Sequence, residues 1–179
     1  MGETVLTRRL FGRLSYACCA FLILFVGLVP FSFIPKNLPG PDLLLCLTFA
    51  FVLRRPDYIP VWLLAGAIFL SDVLLLRPPG LWTAIMIFAV EFTRLQEYRF
   101  RDLIFPFEWA FVGAIMFLCL ISYHLVLSIM IIPQVGFSTT MLHFLTTLVA
   151  YPLVVGFCAL LLRLRKVTPH EAIRYGHRL

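Results

Sequence analysis

The chain has 179 residues, of which 61% are hydrophobic and 13% charged, and its mean hydropathy is +0.97. Soluble domains contain about 45–50% apolar and about 25% charged residues, so this composition excludes an ordinary soluble, disordered or collagen-like protein. A membrane-spanning helix needs about 20 mostly apolar residues, and about six of them with short loops would use nearly the whole chain. We therefore expect an all-α, polytopic membrane helix bundle without a separate soluble domain.

Six apolar runs follow one another along the chain, separated by short segments rich in proline, glycine and charge. They predict a single transmembrane domain over residues 1–165, with helices at about 14–34, 42–53, 59–76, 81–93, 107–132 and 137–162. The second and fourth runs are short, since 11 residues of helix span only about 17 Å of a hydrocarbon core about 30 Å thick. Six full crossings are favoured, and re-entrant second and fourth segments are the alternative.

Both ends of the chain allow a second interpretation. Thr7-Arg8-Arg9-Leu10-Phe11 is close to a twin-arginine export signal, but the apolar run from Leu14 to Ile34 is too long for a cleavable signal and no small-x-small cleavage site follows it. We therefore expect an uncleaved first helix. Residues 166–179 are expected to form a polar cytoplasmic tail, in which Thr168-Pro169-His170-Glu171 predicts the start of a short helix. A frayed basic tail is the alternative.

The net charge of +6 comes from 15 Lys and Arg against 9 Asp and Glu, and it is unevenly distributed. With six crossings and a cytoplasmic N-terminus, only Lys36 and Arg77 fall on the outer side. The thirteen cytoplasmic basic residues are Arg8, Arg9, Arg13, Arg54, Arg55, Arg94, Arg99, Arg101, Arg163, Arg165, Lys166, Arg174 and Arg178. Such an excess is typical of cytoplasmic loops, so both termini are predicted to be cytoplasmic. The charge then serves as an orientation signal, and nucleic acid is not an expected partner.

Ionisable side chains within apolar runs cost about 2.5–3.5 kcal/mol on insertion scales, so each needs a partner or a function. Asp72 lies near the outer end of the third run, and Asp42 begins the second run, where a carboxylate favours the helix dipole. His124 and His143 fall in the outer halves of the last two runs. Together with Arg77, a candidate ion-pair partner of Asp72, these residues form a candidate polar cluster or partner interface on the outer side.

The structural alternatives stay open for these residues. Asp42 would then be a helix cap, Asp72 a structural or interface residue, and each histidine a hydrogen-bonding partner of a neighbouring helix. At the inner boundary, Glu108 and the pair Glu91 and Arg94 are expected to reach water or to pair with one another. The five cysteines lie inside apolar runs without C-x-x-C spacing, and no nucleophile motif or metal-ligand spacing is present. We therefore predict no catalytic residue, metal site or cofactor.

Several short motifs at helix ends have a characteristic order and spacing. They are Pro41-Asp42-Leu43-Leu44-Leu45, Gly66 six residues before Asp72-Val73-Leu74, and Pro79-Gly80-Leu81. With the basic N-terminus and the six apolar runs, they resemble the bacterial rod shape-determining protein family MreD. Its alphaproteobacterial members are resembled most closely, through Arg54-Arg55-Pro56-Asp57, Arg77-Pro78-Pro79-Gly80-Leu81-Trp82 and Ala150-Tyr151-Pro152-Leu153-Val154. The helix leading to Asp72 often has two glycines in this family, whereas here it has only Gly66.

The resemblance implies a non-enzymatic scaffold of the bacterial cell-elongation complex in the inner membrane, supporting rod shape and peptidoglycan synthesis. Its implied partners are the bitopic membrane protein MreC, a peptidoglycan synthase complex, the actin-like MreB and membrane lipids. We expect a groove between helices to hold the single transmembrane helix of MreC, with Asp42 and Asp72 fixing its periplasmic end. The family fold is similar to that of the substrate-binding membrane components of vitamin transporters. A transporter component with an outer ligand pocket is therefore the competing hypothesis, and a lipid-precursor flippase is a third.

Overall fold

A computed structural model describes residues 2–28, 40–100, 105–131 and 136–161 of the chain. Within these ranges the regular structure is helical and contains no strand, which confirms the predicted all-α class. The α-helices are α1 (Gly2–Leu28), α2 (Leu43–Arg54), α3 (Val61–Leu74), α4 (Leu81–Phe100), α5 (Phe105–Ile129) and α6 (Phe137–Leu161). One turn of 3-10 helix, Pro56–Tyr58, connects α2 to α3.

The helix boundaries differ from the predicted spans mainly where charged residues continue a helix beyond its apolar run. α1 begins at Gly2 rather than at residue 14, and α4 continues to Phe100 rather than ending near residue 93. Charged side chains one turn apart support such extensions, as Glu91 and Arg94 do in α4 at 2.9 Å. The predicted ends of the first, fifth and sixth spans, and the tail with its Thr168 motif, lie outside the described residues.

Within the part of the chain that the structure describes, three helices are long and apolar enough to cross a membrane, namely Arg9–Leu28 of α1, Phe105–Ile129 and Phe137–Leu160. α2 and α3 are shorter apolar helices of 12 and 14 residues. α1, α5 and α6 expose many large apolar side chains, which suit lipid rather than water as the surrounding medium. By length, composition and surface, this is a membrane protein.

α2 is the central helix of the bundle, because every residue from Leu44 to Arg54 is buried. It packs against α1, α4 and α6. Thr48 Oγ1 donates to the Leu44 carbonyl at 2.8 Å and so accepts from Tyr16 Oη of α1 at 3.1 Å. On the opposite side, Cys46 Sγ donates to the Thr147 carbonyl of α6 at 3.4 Å. A helix enclosed by protein in this way does not need the length of a helix that faces lipid.

A buried ion pair joins one end of α2 to α5 and α6. Arg54 Nη1 lies 3.2 Å from Glu108 Oε1, and the two side chains are only 8% and 1% exposed. Tyr151 Oη of α6 donates to the same carboxylate oxygen at 3.2 Å, and Arg54 also donates to the Ala50 carbonyl at 3.3 Å. Following the predicted orientation, we call this end of the bundle the inner end and the opposite end the outer end.

The expectation that Glu108 is a solvated boundary residue is therefore wrong. Arg54 and Tyr151 come from different helices, and together they supply the charge and the hydrogen bond that make burial of this carboxylate tolerable. Glu91 and Arg94 do pair with each other at the partly exposed surface, as expected. Arg94 additionally donates to the Ile59 carbonyl, which ties α4 to the segment before α3.

Substituting Glu108 with Ala should lower the free energy of unfolding by about 3–5 kcal/mol, because Arg54 would remain buried without its counter-ion. The matched control is Glu91→Ala, which removes the acid of a partly exposed pair and should cost about 1 kcal/mol or less. Unfolding of the purified variants in mixed detergent micelles measures both losses. Equal losses for the two variants would contradict a buried, stabilising role for the inner pair.

Candidate functional site: a polar cleft at the outer end

A half-open cavity of about 450 Å³ lies at the outer end of the bundle, and we call it the outer cleft. Its walls come from α2, α5, α6, the first turn of α4 and the segment that joins α3 to α4. Four of the five residues predicted to form an outer cluster line it, namely Asp42, Arg77, His124 and His143. The remaining wall is largely apolar or hydroxylated, and includes Leu45, Leu76, Trp82, Met116, Tyr123, Leu127, Phe144 and Thr147.

Asp42 and Arg77 form a loose pair at the N-terminus of α2, in the mouth of the cleft. Asp42 is the N-cap of α2, where its Oδ1 accepts a hydrogen bond from the Leu45 amide at 3.0 Å. Its Oδ2 lies 3.9 Å from Arg77 Nη1, a distance too long for a hydrogen bond. The Arg77 guanidinium also lies over the ring of Trp82, 5.7 Å from its centroid. Arg77 thus pairs with Asp42. The ion pair between Arg77 and Asp72 that the sequence suggested does not form.

Asp72 is fully buried and serves the N-terminus of α4 instead of the cleft. Its Oδ2 accepts from the Gly80 amide at 3.2 Å, the Thr83 amide at 3.2 Å and the Thr83 hydroxyl at 2.9 Å. A carboxylate at this position satisfies amides that have no partner within the helix, and it complements the helix dipole. With 0% of its surface exposed, Asp72 is placed to hold α3 to α4 and does not reach the cleft.

The C-terminus of α3 ends in an unusual turn that places Leu76 at the rim of the cleft. The Leu76 amide donates to the Val73 carbonyl at 3.3 Å, and the Arg77 amide donates to the Asp72 carbonyl at 3.0 Å, which is the Schellman pattern. The residue in the left-handed position of this pattern is usually glycine, but here it is Leu76, with φ of 54°. Its side chain is 93% exposed, so the backbone strain is not offset by packing within the chain.

The end of α5 repeats this combination. Ile131 also has φ of 54° and is 91% exposed. A branched side chain in the left-handed region is a genuine outlier, and such strain marks functional positions more often than random ones. Neither residue was singled out by sequence analysis, because a leucine or isoleucine at the end of an apolar run gives no indication of a positive φ.

His143 connects α6 to the segment that precedes α2. Its Nδ1 lies 2.7 Å from the Gly40 carbonyl, and it must be the donor because a carbonyl oxygen only accepts. Thr147 Oγ1 donates to the His143 carbonyl at 2.7 Å and accepts from the Asp42 amide at 3.1 Å. His124 lines the opposite wall on α5. Among the residues that the structure describes, no group of three or more His, Cys, Asp or Glu is arranged to hold a metal ion.

α5 and α6 are in close contact inward of the cleft. The rings of Phe117 and Phe144 lie 5.5 Å apart, and further inward Leu148 packs directly over Gly113. Outward from this contact, Met116 and Leu120 of α5 and Phe144 of α6 line the cleft. The cleft therefore has an apolar floor and a polar mouth, an arrangement suited to binding an amphipathic group.

Replacing Asp72 with Ala should lower the free energy of unfolding by about 2–4 kcal/mol, because three donors at the start of α4 would lose their buried acceptor. Asp42→Ala, which removes a partly exposed cap from α2, should cost about 1 kcal/mol. Both losses can be measured by unfolding in micelles. If Asp72→Ala were the milder variant, the capping role of Asp72 would be contradicted. The variant would then stay folded, so that a loss of co-purification with a partner would report a loss of binding rather than of folding.

No family model, curated protein or solved structure matches this chain. Because one fold can serve many functions, its function has to be inferred from the chemistry of the outer cleft and of the surfaces around it.

Proposed function

We propose that this protein is a non-enzymatic, multi-pass scaffold of the bacterial cell-elongation complex in the inner membrane. Six crossings with both termini in the cytoplasm fit the distribution of basic residues. The outer cleft then receives the periplasmic end of the transmembrane helix of an MreC-like bitopic partner. A peptidoglycan synthase complex and an MreB-like actin homologue complete the assembly. The resemblance of the motifs to MreD proteins supports the choice of complex, and the rim of the cleft supports the docking site.

Leu76 is the observation that carries this docking site. A leucine in the left-handed conformation costs about 1–2 kcal/mol relative to glycine, and its exposed side chain recovers none of this within the chain. An apolar side chain held in this way at the mouth of a polar-rimmed cleft is suited to anchor a partner. A binding interface is built around an aromatic or aliphatic anchor with a polar rim about it.

The size of the cleft limits how much of a partner it can hold. A helix about 10 Å across occupies roughly 420 Å³ per turn of 5.4 Å. The cleft, at about 450 Å³, has room for about one helical turn. It therefore accepts the end of a partner helix, and the rest of that helix lies along the exposed apolar surface of the bundle.

A second candidate function is the substrate-binding membrane component of a small-molecule, vitamin-type transporter. The cleft volume falls within the range of about 300–1,000 Å³ that is usual for small-molecule sites, and its apolar floor with a few polar groups is typical of them. This alternative requires that a vitamin-like ligand raise the unfolding temperature of the purified protein, whereas the scaffold proposal requires no such ligand.

The scaffold proposal predicts that Leu76→Gly separates stability from partner binding. Glycine relieves the strain at φ of 54°, so the unfolding temperature should stay equal or rise, by the equivalent of up to about 1 kcal/mol. Loss of the rim anchor should nevertheless reduce co-purification of the MreC-like partner about tenfold after gentle solubilisation. The matched control is Leu153→Ala on α6, which removes a similarly exposed apolar side chain and should leave co-purification unchanged.

Two results would count against the scaffold. Unchanged capture of the partner by Leu76→Gly would contradict docking at the rim of the cleft. Stabilisation of the native protein by a vitamin-like ligand, together with no capture of an MreC-like partner, would favour the transporter.

A further inference from the structure

We infer that the partner turn received by the outer cleft carries one acidic and one basic side chain, an inference that rests on the proposed docking function. Asp42 and Arg77 give the polar mouth of the cleft one negative and one positive charge. With neutral histidines the formal charge of the cleft is zero, but the charge is arranged as a dipole. A dipolar partner with the opposite arrangement matches both ends of it.

Asp42 and Arg77 are each held by separate contacts, which leaves both charged groups able to bind a partner. Asp42 is fixed through Oδ1 by the Leu45 amide, and Arg77 is fixed by the ring of Trp82. Their mutual distance of 3.9 Å is beyond hydrogen-bond range, and the side chains are 16% and 28% exposed. Within the described ranges, neither Asp42 Oδ2 nor the Arg77 guanidinium makes a side-chain hydrogen bond. Both groups therefore retain hydrogen-bonding capacity towards the cleft.

His143 and Thr147 make the side of the cleft near Asp42 rich in acceptors. The Nδ1 proton of His143 is bound to the Gly40 carbonyl, so the nitrogen left on the neutral ring is an acceptor. The hydroxyl proton of Thr147 is directed to the His143 carbonyl. These proton acceptors favour a lysine or arginine of the partner near Asp42, while the guanidinium of Arg77 favours an aspartate or glutamate beside it.

A single unpaired charge would fit this cleft poorly. It would be attracted by one member of the Asp42–Arg77 pair and repelled by the other, and it would lose hydration without full compensation. Two opposite charges placed three or four residues apart on a helix lie about 5–6 Å from each other. This spacing between Cβ atoms fits about the one helical turn that the cleft can hold, and flexible side chains on it can reach both receiving groups, whose charged atoms lie 3.9 Å apart.

Synthetic transmembrane peptides test this inference directly. Three probes share a Leu-Ala core of about 20 residues and differ only at the outer end, which carries Glu-x-x-x-Lys, Lys-x-x-x-Glu or Gln-x-x-x-Gln. Binding to the full-length protein in phosphatidylcholine vesicles is followed by fluorescence transfer. One of the two charged peptides should bind at least about tenfold more tightly than both the peptide with the reversed charge order and the uncharged peptide.

Exchanging the charges of Asp42 and Arg77 in the protein provides the decisive comparison. The double variant Asp42→Arg/Arg77→Asp keeps an internal pair but reverses its direction, so it should reverse the preference between the two charged peptides. The matched control is Arg9→Asp/Asp57→Arg, which exchanges a similarly spaced pair, 4.0 Å apart, away from the cleft. This control should leave the preference unchanged.

The outcomes separate this inference from the proposed function. Equal or absent binding of the charged peptides, with capture of the proposed partner intact, overturns the inference and leaves the scaffold standing. If the native protein captured no MreC-like partner, the scaffold proposal itself would be overturned. Loss of the peptide preference when phosphatidylethanolamine replaces phosphatidylcholine would also overturn the inference, because a lipid headgroup whose ammonium donates hydrogen bonds, as the quaternary choline group does not, would then be the occupant of the cleft.

Discussion

The rest of the bundle depends on the buried ion pair between Arg54 and Glu108, which Tyr151 completes. Neither charge can stay in an apolar interior without the other, so α2, α5 and α6 must meet at this one point. The pair also fixes the vertical register of α2, which is too short to be positioned by the membrane alone. At the outer end α6 stays joined to the start of α2 through His143 and Thr147, and the cleft forms between this pair of helices and α5.

At the outer end, the polar residues divide into those that hold the structure and those that face the cleft. Asp72 and Thr83 join α3 to α4, and Thr147 joins α6 to the start of α2. This bracing lets Asp42 and Arg77 remain in a loose, partly exposed pair at the mouth, which adds little stability and, under the proposed docking function, serves recognition. The strained turn at Leu76 is one of the features that face the cleft, since it adds nothing to packing within the chain and presents an apolar side chain at the rim.

Hydropathy was sufficient to predict the helical class and the order of the helices. The backbone polar groups of each apolar run must be hydrogen-bonded within that run, and a helix achieves this. Counting residues along the runs also placed Asp42, Arg77, His124 and His143 near one another at the outer end. The partners of Asp72 and Glu108 could not be predicted, since they lie on other helices and depend on rotation about each helix axis. The positive φ of Leu76 was equally hidden, because no glycine marks that turn.

The central claim is that the rim of the outer cleft contacts a partner protein rather than lipid. Site-specific photo-crosslinking in living rod-shaped cells tests it most directly, with the crosslinker placed at position 76 or, for comparison, at the exposed position 153 on α6. We expect a crosslink to an MreC-like bitopic protein from position 76 and none from position 153. Crosslinks to lipid alone from both positions, or equal protein crosslinks from both, would contradict it.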